Sequence, residues 1–302
     1  MPSIPQTPLI SVVLPAFNSA LHLSQALDSI LSQTLEDFEL LVIYDESSDQ
    51  TRSIIESYMA KDGRVRFIQG QKARLVGALN QGIMVAKGKY IARMDADDVS
   101  LPTRFERQVQ AMDQSELDFC GCNIVMINES GKPIEDIVMP QTPDLITMTL
   151  ACTVPFAHGS VMMRKAFLDQ HDLLYQKGAS AEDYDFWCNA FALGARFGNI
   201  SEPLFHYRHF AQSLSKVHAK VVGQHTQSIR RKFVKNNTAA IQEAIARLLP
   251  IQKQLSERDA GFLLLASYLL YCQNQSNLVF SVLKNSSLKN IAIGVGKLIK
   301  GF

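Results

Sequence analysis

A chain of 302 residues with 47% hydrophobic content can bury a substantial core, enough for one large domain or a domain with a smaller appendage. Its formal charge of +1 gives no reason to expect a nucleic-acid partner, and its five cysteines, at 120, 122, 152, 188 and 272, have neither zinc-ligand spacing nor the density of a secreted disulfide scaffold. Met1 to Pro8 lacks the basic and apolar parts of a signal peptide, and the longest apolar run, Ala260 to Cys272, falls short of the ~20 residues of a spanning helix, so a cytoplasmic protein that does not cross a membrane is expected.

Leu9 to Pro15 reads as a strand, followed by the loop Pro15-Ala16-Phe17-Asn18 and a helix with Leu23, Ala26, Leu27, Ile30 and Leu31 on one face. Phe38 to Tyr44 is a second, almost uniformly apolar strand, after which Asp45 to Asp49 form a polar loop before a helix buried through Ile54, Ile55, Tyr58 and Met59. A third strand, Val65 to Gln69, leads to a helix over Leu75 to Ala86, and Lys87-Gly88-Lys89 turns into a fourth strand, Tyr90 to Met94. This alternation predicts an α/β fold, with parallel βαβ units and helices on both faces of a mostly parallel sheet.

Past Phe119 the pattern shifts to strands and long loops, with turns at Glu129 to Pro133 and at Met139-Pro140. Phe119 to Ile127 reads as a buried strand in which Cys120 and Cys122 are small apolar fillers rather than metal ligands. Beyond Ser215 the chain reads as helices. The expected organisation is a main domain over residues 1–215, with a first half over 1–118 and a second half over 119–215, and a helical region over 216–302. From Ala260 to Phe302 there are no acids and four lysines among apolar residues, a composition that suits an anionic membrane surface, the inner face of the cell membrane, or packing on the domain or on a second copy in a homodimer.

In open α/β sheets ligands bind outside the carboxyl ends of the strands. Asn18, Asp45 to Asp49 and Asp95-Ala96-Asp97-Asp98 follow three of those ends. Aspartates at 95, 97 and 98 repel one another unless a cation compensates them, and hard cations such as Mg2+ or Mn2+ bind through one or two carboxylates plus substrate phosphates. Strand alternation after Tyr90 to Met94 would aim Asp95 and Asp97 the same way. The competing reading is a solvated acidic turn in which Asp98 caps the helix through Phe105, Val109 and Met112. Lys72, Arg74 and Asn80 sit where a helix N-terminus and cations could meet phosphate oxygens, or where a basic loop simply meets solvent.

Five segments in order, Ile10-Ser-Val-Val-Leu-Pro-Ala-Phe-Asn18, Ile43-Tyr-Asp-Glu-Ser-Ser-Asp49, Leu79-Asn-Gln-Gly-Ile83, Gly88-Lys-Tyr-Ile-Ala-Arg-Met-Asp-Ala-Asp-Asp98 and Glu182-Asp-Tyr-Asp-Phe-Trp187, resemble family 2 glycosyltransferases of the GT-A fold. The resemblance implies a non-processive, inverting enzyme that moves one sugar from a nucleotide diphosphate-sugar to a hydroxyl acceptor, a saccharide or lipid-linked saccharide, in polysaccharide, lipopolysaccharide or glycoconjugate synthesis. It implies donor contacts from Pro15, Ala16, Phe17, Asn18, Asp45, Arg74, Asn80, Asp95, Ala96 and Asp97. Asp45 would accept the ring N–H of a base, which disfavours cytidine and makes UDP the expected nucleotide, with thymidine and guanosine left open. Mg2+ or Mn2+ would sit on Asp97, with Asp95 and a histidine of the His206-Tyr207-Arg208-His209 run, His209, as companions. Asp183 would be the base, and Glu182 and an exposed Tyr184 would face the acceptor, whereas Phe186, Trp187 and His158 read as core residues.

The chain departs from that pattern at Tyr44-Asp45-Glu46-Ser47, where relatives carry a second acid and a glycine, and at His209, one residue earlier than usual. The alternatives are a sugar-nucleotidyltransferase, a HAD-like phosphatase using Asp95-Ala96-Asp97-Asp98-Val99, and a catalytically degenerate sugar-binding protein.

Overall fold

A computed structural model describes residues 7–71, 74–178, 181–210, 219–272 and 278–285. The chain forms two compact units that do not follow its linear order: Met1–Met139, Phe156–Lys177 and Ala195–Ala211 make the first, and Pro140–Pro155, Gly178–Gly194 and Gln212–Phe302 the second. Two segments from before residue 215, Pro140–Pro155 and Gly178–Gly194, group with the C-terminal helices. Ser215 itself lies outside the described residues, as do Lys72 and Ser180.

The first unit opens with β1 (Ile10–Ala16), α1 (Leu23–Leu31), β2 (Phe38–Tyr44), α2 (Thr51–Met59), β3 (Val65–Gln69), α3 (Arg74–Val85) and β4 (Tyr90–Arg93). All seven residues of β2 are buried, as a strand covered on both faces requires. The helix α1 turns Leu23, Ala26, Leu27 and Ile30 inward at three- and four-residue spacing, and each such burial contributes roughly 1.5–3 kcal/mol. After β4 come β5 (Val99–Ser100), α4 (Arg104–Gln114), β6 (Phe119–Ile127), β7 (Pro133–Ile137), β8 (Met162–Arg164), α6 (Lys165–Gln170) and β9 (Phe197–Arg208). The sheet runs β3-β2-β1-β4-β8-β6-β9-β5, with β7 paired to β6. Pairing is parallel through β3, β2, β1 and β4 and again between β6 and β9. It is antiparallel at β4–β8, β8–β6, β6–β7 and β9–β5.

The second unit is helical: α5 (Pro143–Leu150), α7 (Glu182–Ala192), α8 (Ala219–Asn236), α9 (Thr238–Leu248), α10 (Glu257–Cys272) and α11 (Leu278–Asn285). Thr142 caps α5, its hydroxyl oxygen accepting the Leu145 N–H at 3.3 Å, with Pro143 following as first helical residue. Arg247 of α9 reaches back to Asp144 at 2.8 Å, and Phe191 of α7 meets Phe233 of α8 at 5.2 Å between ring centres. The apolar stretch of α10 is buried from Ala260 to Ser267, so this part of the acid-free tail is core rather than a membrane-facing surface. Lys289, Lys297 and Lys300 lie outside the described residues. No helix among the described residues is long and apolar enough to cross a membrane.

Candidate functional site

The carboxyl ends of β1, β2 and β4 meet at one rim of the first unit. Pro15 and Ala16 close β1, and Phe17 is 62% exposed beyond them. Asn18 takes a left-handed backbone, φ 46°, that turns its side chain back so that Oδ1 accepts the Ser48 N–H at 2.9 Å, while its own N–H donates to the Ser47 hydroxyl at 3.0 Å. Asp49 accepts the Ala20 N–H at 2.9 Å and the Thr51 N–H at 3.0 Å, so it caps α2 from one residue before the N-cap position, which Gln50 fills, and joins the two loops. Tyr44, where relatives carry an acid, is buried, and its hydroxyl oxygen accepts the Ser47 N–H at 3.0 Å. The altered motif therefore has its own means of ordering the turn.

The carboxylate of Asp45 lies across Gly70 at the end of β3. A Cβ on Gly70 would sit 2.1 Å from Asp45 Oδ1, so only glycine leaves that space open. Arg74 starts α3 at φ 57° with its side chain exposed. Asn80 is buried and uses both ends of its amide on one residue: Nδ2 donates to the Tyr175 carbonyl at 2.9 Å, and Oδ1 accepts the Tyr175 N–H at 2.9 Å. Asn80 thus holds the Tyr175 backbone through both ends of its amide.

The acidic loop lies beyond β4 rather than on it. The β1–β4 ladder ends at Val13 opposite Arg93, so strand alternation does not set the directions of Asp95 and Asp97, contrary to the sequence argument. Two arginines set them instead. Arg93, 2% exposed, is ion-paired with Asp95. Arg208 is also buried: its Nε donates to the Asp97 carbonyl at 2.7 Å, its backbone N–H to Asp98 Oδ1 at 2.7 Å, and its Nη atoms to the carbonyls of Asn128 and Glu129 at 3.2 and 2.9 Å and to Gln25 at 2.7 Å. Asp98 caps no helix. The N-cap of α4 is Thr103, and Asp98 Oδ2 is buried without a hydrogen-bond partner among the described residues.

Gly159, in a short turn at His158–Ser160, forms the wall facing these acids. A Cβ there would stand 2.9 Å from Asp95 Oδ2, 3.0 Å from Asp98 Oδ2 and 2.8 Å from the Phe205 ring. Burial, and then the charge of Asp95, pushes the Asp97 carboxyl up to about 6. Burial and the charges of Asp95 and Asp97 raise Asp98 as well. Burial together with the charges of Asp98, Asp95 and Asp97 pushes the Tyr207 phenol up to about 12. His158 is held neutral by burial and by Arg93, with Nε2 at 2.8 Å from the Tyr175 hydroxyl, as befits a hydrogen-bonded interior histidine. Half-buried His209 follows β9, its N–H donating to the Ile127 carbonyl at 2.8 Å.

Among the described residues no group of three or more His, Cys, Asp or Glu side chains is arranged to hold a metal. The donor set still fits Mg2+ or Mn2+, which need only one or two carboxylates when phosphates and water complete the shell. Crowded acids with one partnerless buried oxygen are what such a cation would relieve.

Glu182, Asp183 and Tyr184 belong to the second unit, in the first turn of α7. Asp183 is half-buried and its Oδ1 accepts the Tyr184 N–H at 2.7 Å. Tyr184 is 1% exposed, and its hydroxyl donates to the Leu150 carbonyl at 2.6 Å, so it packs inside the unit instead of presenting a ring to a sugar. Tyr184 shares its face of α7 with Trp187 and Cys188, three and four residues on, and both are buried. Sequence reasoning missed Arg93, Arg208, Gly70 and Gly159. Only Arg93 carried a signal, as a lone cation two residues before Asp95 within an apolar strand.

A family model described as Glycosyl transferase family 2 matches residues 11–172. The O-antigen biosynthesis glycosyltransferase WbnJ of Escherichia coli is 34% identical over 212 residues, 69% of this chain and 82% of its own. Among solved structures, S. aureus TarS 1-349 in complex with UDP-GlcNAc aligns with a TM-score of 0.60 at 17% identity, over 96% of this chain and 91% of that one. A longer TarS chain is spanned over 55% of its length at a TM-score of 0.57. The mannosyltransferase PcManGT of Pyrobaculum calidifontis, in complex with GDP-Man and Mn2+, aligns at 0.57 and 17% identity, over 97% of this chain and 88% of that one.

Proposed function

The chain belongs to glycosyl transferase family 2, and on that premise we propose that it transfers a single sugar, with inversion, from a nucleoside diphosphate-sugar held through Mg2+ or Mn2+ to a hydroxyl of a growing glycan. The observation that carries this reading is the acidic loop: Asp95, Asp97 and Asp98 crowd together at the carboxyl end of β4, and Asp98 Oδ2 has no partner. Asp97 and Asp95 would hold the cation, which would supply Lewis-acid stabilisation of the departing nucleoside diphosphate. The work of the chain's own residues is positional. Arg208 fixes the Asp97 peptide, Gly70 leaves Asp45 room to accept a base N–H, and the Asn18–Ser48 and Asp49–Ala20 bonds hold the rim in one shape.

The proton of the acceptor hydroxyl is assigned to Asp183. A carboxylate in the first turn of α7 suits a base that must stay ionised, because the helix N-terminus favours negative charge. The chemistry of Asp45 disfavours cytidine and leaves uridine, thymidine and guanosine open; UDP is the expected nucleotide, a choice supported by a neighbour that holds UDP-GlcNAc while another holds GDP-Man, and the name of an O-antigen enzyme supports a glycan role.

The test is a screen of nucleotide-sugars with Mn2+ by thermal shift, followed by release of nucleoside diphosphate in the presence of glycan acceptors. Asp183→Asn should keep donor binding and lose transfer by at least about a hundredfold. Undiminished transfer by that variant would remove Asp183 from the mechanism, and release of pyrophosphate would point to nucleotidyl transfer instead.

A further inference from the structure

Arg93 closes an otherwise apolar strand and is buried directly beneath the acidic loop. A buried guanidinium is costly unless charge and hydrogen bonds compensate it, and here the compensation is uneven. Arg104, buried nearby, has its guanidinium taken up by neutral or polar acceptors: the Arg93 carbonyl at 2.7 Å, Gln108 at 3.0 Å and the Ser100 hydroxyl at 3.3 Å. Arg208 is likewise satisfied, by carbonyls and an amide. Arg93 differs, since its Nε has no hydrogen-bond partner among the described residues and Asp95 is its charged contact. It is held chiefly by charge.

The three carboxylates at 95, 97 and 98 thus have one guanidinium paired directly with them, Arg93 with Asp95, while the Arg208 guanidinium sits beside them on the Asp97 carbonyl. Even with all of them ionised the cluster carries at most one net negative charge, little to offer a bare divalent cation, whereas a diphosphate would add at least two more. Asp95, moreover, has one of its oxygens, Oδ2, turned toward Arg93 and the Gly159 wall.

We propose that Arg93 is a positioning residue that acts through Asp95 and makes the acidic loop a conditional cation site. It engages one carboxylate oxygen and cancels one negative charge, so that Mn2+ or Mg2+ binds firmly only together with a nucleoside diphosphate. The inference rests on the donor reading above and deepens it, because it explains why a loop with three acids need not hold a metal between turnovers.

The probe is Mn2+ itself, titrated into the full chain and followed by the electron paramagnetic resonance signal of the free ion. The titration is run without nucleotide, with UDP and with GDP, each corrected for the Mn2+ that the nucleotide binds in protein-free buffer. The unsubstituted protein should bind Mn2+ at least about tenfold more tightly with a nucleotide than without. In Arg93→Met the nucleotide-free affinity should rise by about tenfold and the nucleotide effect should shrink by the same factor, because a positive charge next to the ion has gone. Arg93→Lys keeps that charge and should keep the nucleotide dependence, even where loss of the planar fork lowers turnover.

A merely structural role would lower the melting temperature and the number of binding sites while leaving the ratio of affinities unchanged, and that result in Arg93→Met overturns the inference. Equal Mn2+ affinity of the unsubstituted protein with and without nucleotide overturns it as well. If circular dichroism shows Arg93→Met unfolded, Arg93→Lys decides, and loss of nucleotide dependence in that variant is the contrary result. Failure of the unsubstituted protein to take up Mn2+ with either UDP or GDP would reject the metal-bound donor itself, and this inference with it.

Discussion

The two ends of the parallel strands β1 to β4 carry carboxylates in opposite states. At the amino end, Glu39 of β2 accepts the Ser11 hydroxyl at 2.6 Å and the Lys87 N–H at 3.0 Å and pairs with Arg66 of β3. Burial would raise its carboxyl, but those bonds from Ser11, Arg66 and Lys87 together hold it below the usual range. At the carboxyl end, burial and mutual repulsion raise Asp97 and Asp98, and a buried oxygen of Asp98 has no partner. A carboxylate supplied with its full set of donors is part of the scaffold, whereas a cluster left short of positive charge is prepared for something that arrives later. The same residue type, a sheet length apart, serves stability at one end and binding at the other.

The sharpest way to break this comparison is at its functional end. Asp97→Ala should reduce Mn2+-dependent binding of UDP by at least about a hundredfold, measured by calorimetry, because it removes the carboxylate expected to bridge to the diphosphate. The metal-free protein should melt no lower than the unsubstituted one, since a repulsive charge has been deleted. Unchanged nucleotide binding would move the cation elsewhere. At the other end Glu39→Ala should give the reverse pattern, a loss of about 2 kcal/mol in denaturant unfolding with turnover per folded molecule preserved.

The contrast also separates the two ends by pH. Glu39 has a folded pKa below its usual 4.5, so its stabilisation is complete above that value and is lost as pH falls through the folded one. Asp97 has a folded value raised from 3.8 to about 6, so between those two limits the folded chain holds a proton that the unfolded chain has released. Its contribution to metal-free stability therefore declines as pH rises through that window. Mn2+ competes with the same proton, and its affinity should fall by up to about tenfold per pH unit below 6 and level off above. A flat affinity between pH 5 and 7 would show that the acidic loop is not where Mn2+ binds.

Much of the fold was legible because burial writes itself into periodicity. The strands Phe38–Tyr44, Val65–Gln69 and Phe119–Ile127 stand at the limits that their apolar runs suggested. The polar loops at the strand ends were legible too, as breaks in that pattern. The grouping into compact units was not, since it depends on which helices α5 and α7 find as neighbours, and a stripe of apolar residues does not name its partner. Nor were Gly70 and Gly159, whose significance lies in carboxylates that approach from residues 45, 95 and 98, far away along the chain. Arg208 was read only as a member of a histidine-bearing run, yet its hydrogen bonds reach Gln25, Asp97 and the Asn128-Glu129 pair, three stretches of chain that no local spacing connects.

Tyr184 carries the comparison into the second unit, beside the acid assigned as base. Helix-start composition suited an acceptor platform there, but the ring is buried and its hydroxyl donates to the Leu150 carbonyl in α5. Burial, ahead of the neighbouring Cys188 and Cys152, raises this phenol well above its ordinary range, so it stays a neutral donor at any working pH. Tyr184→Phe removes one hydrogen bond and leaves the ring in place, which should lower unfolding stability by about 1 kcal/mol and leave the KM for acceptor unchanged. Were the ring a sugar platform, the same variant would preserve stacking and stability alike, and only Tyr184→Ala would raise KM. A stability loss in Tyr184→Phe with unaltered acceptor kinetics therefore assigns this tyrosine to the support of α7, and through α7 to the placement of Asp183 one residue before it.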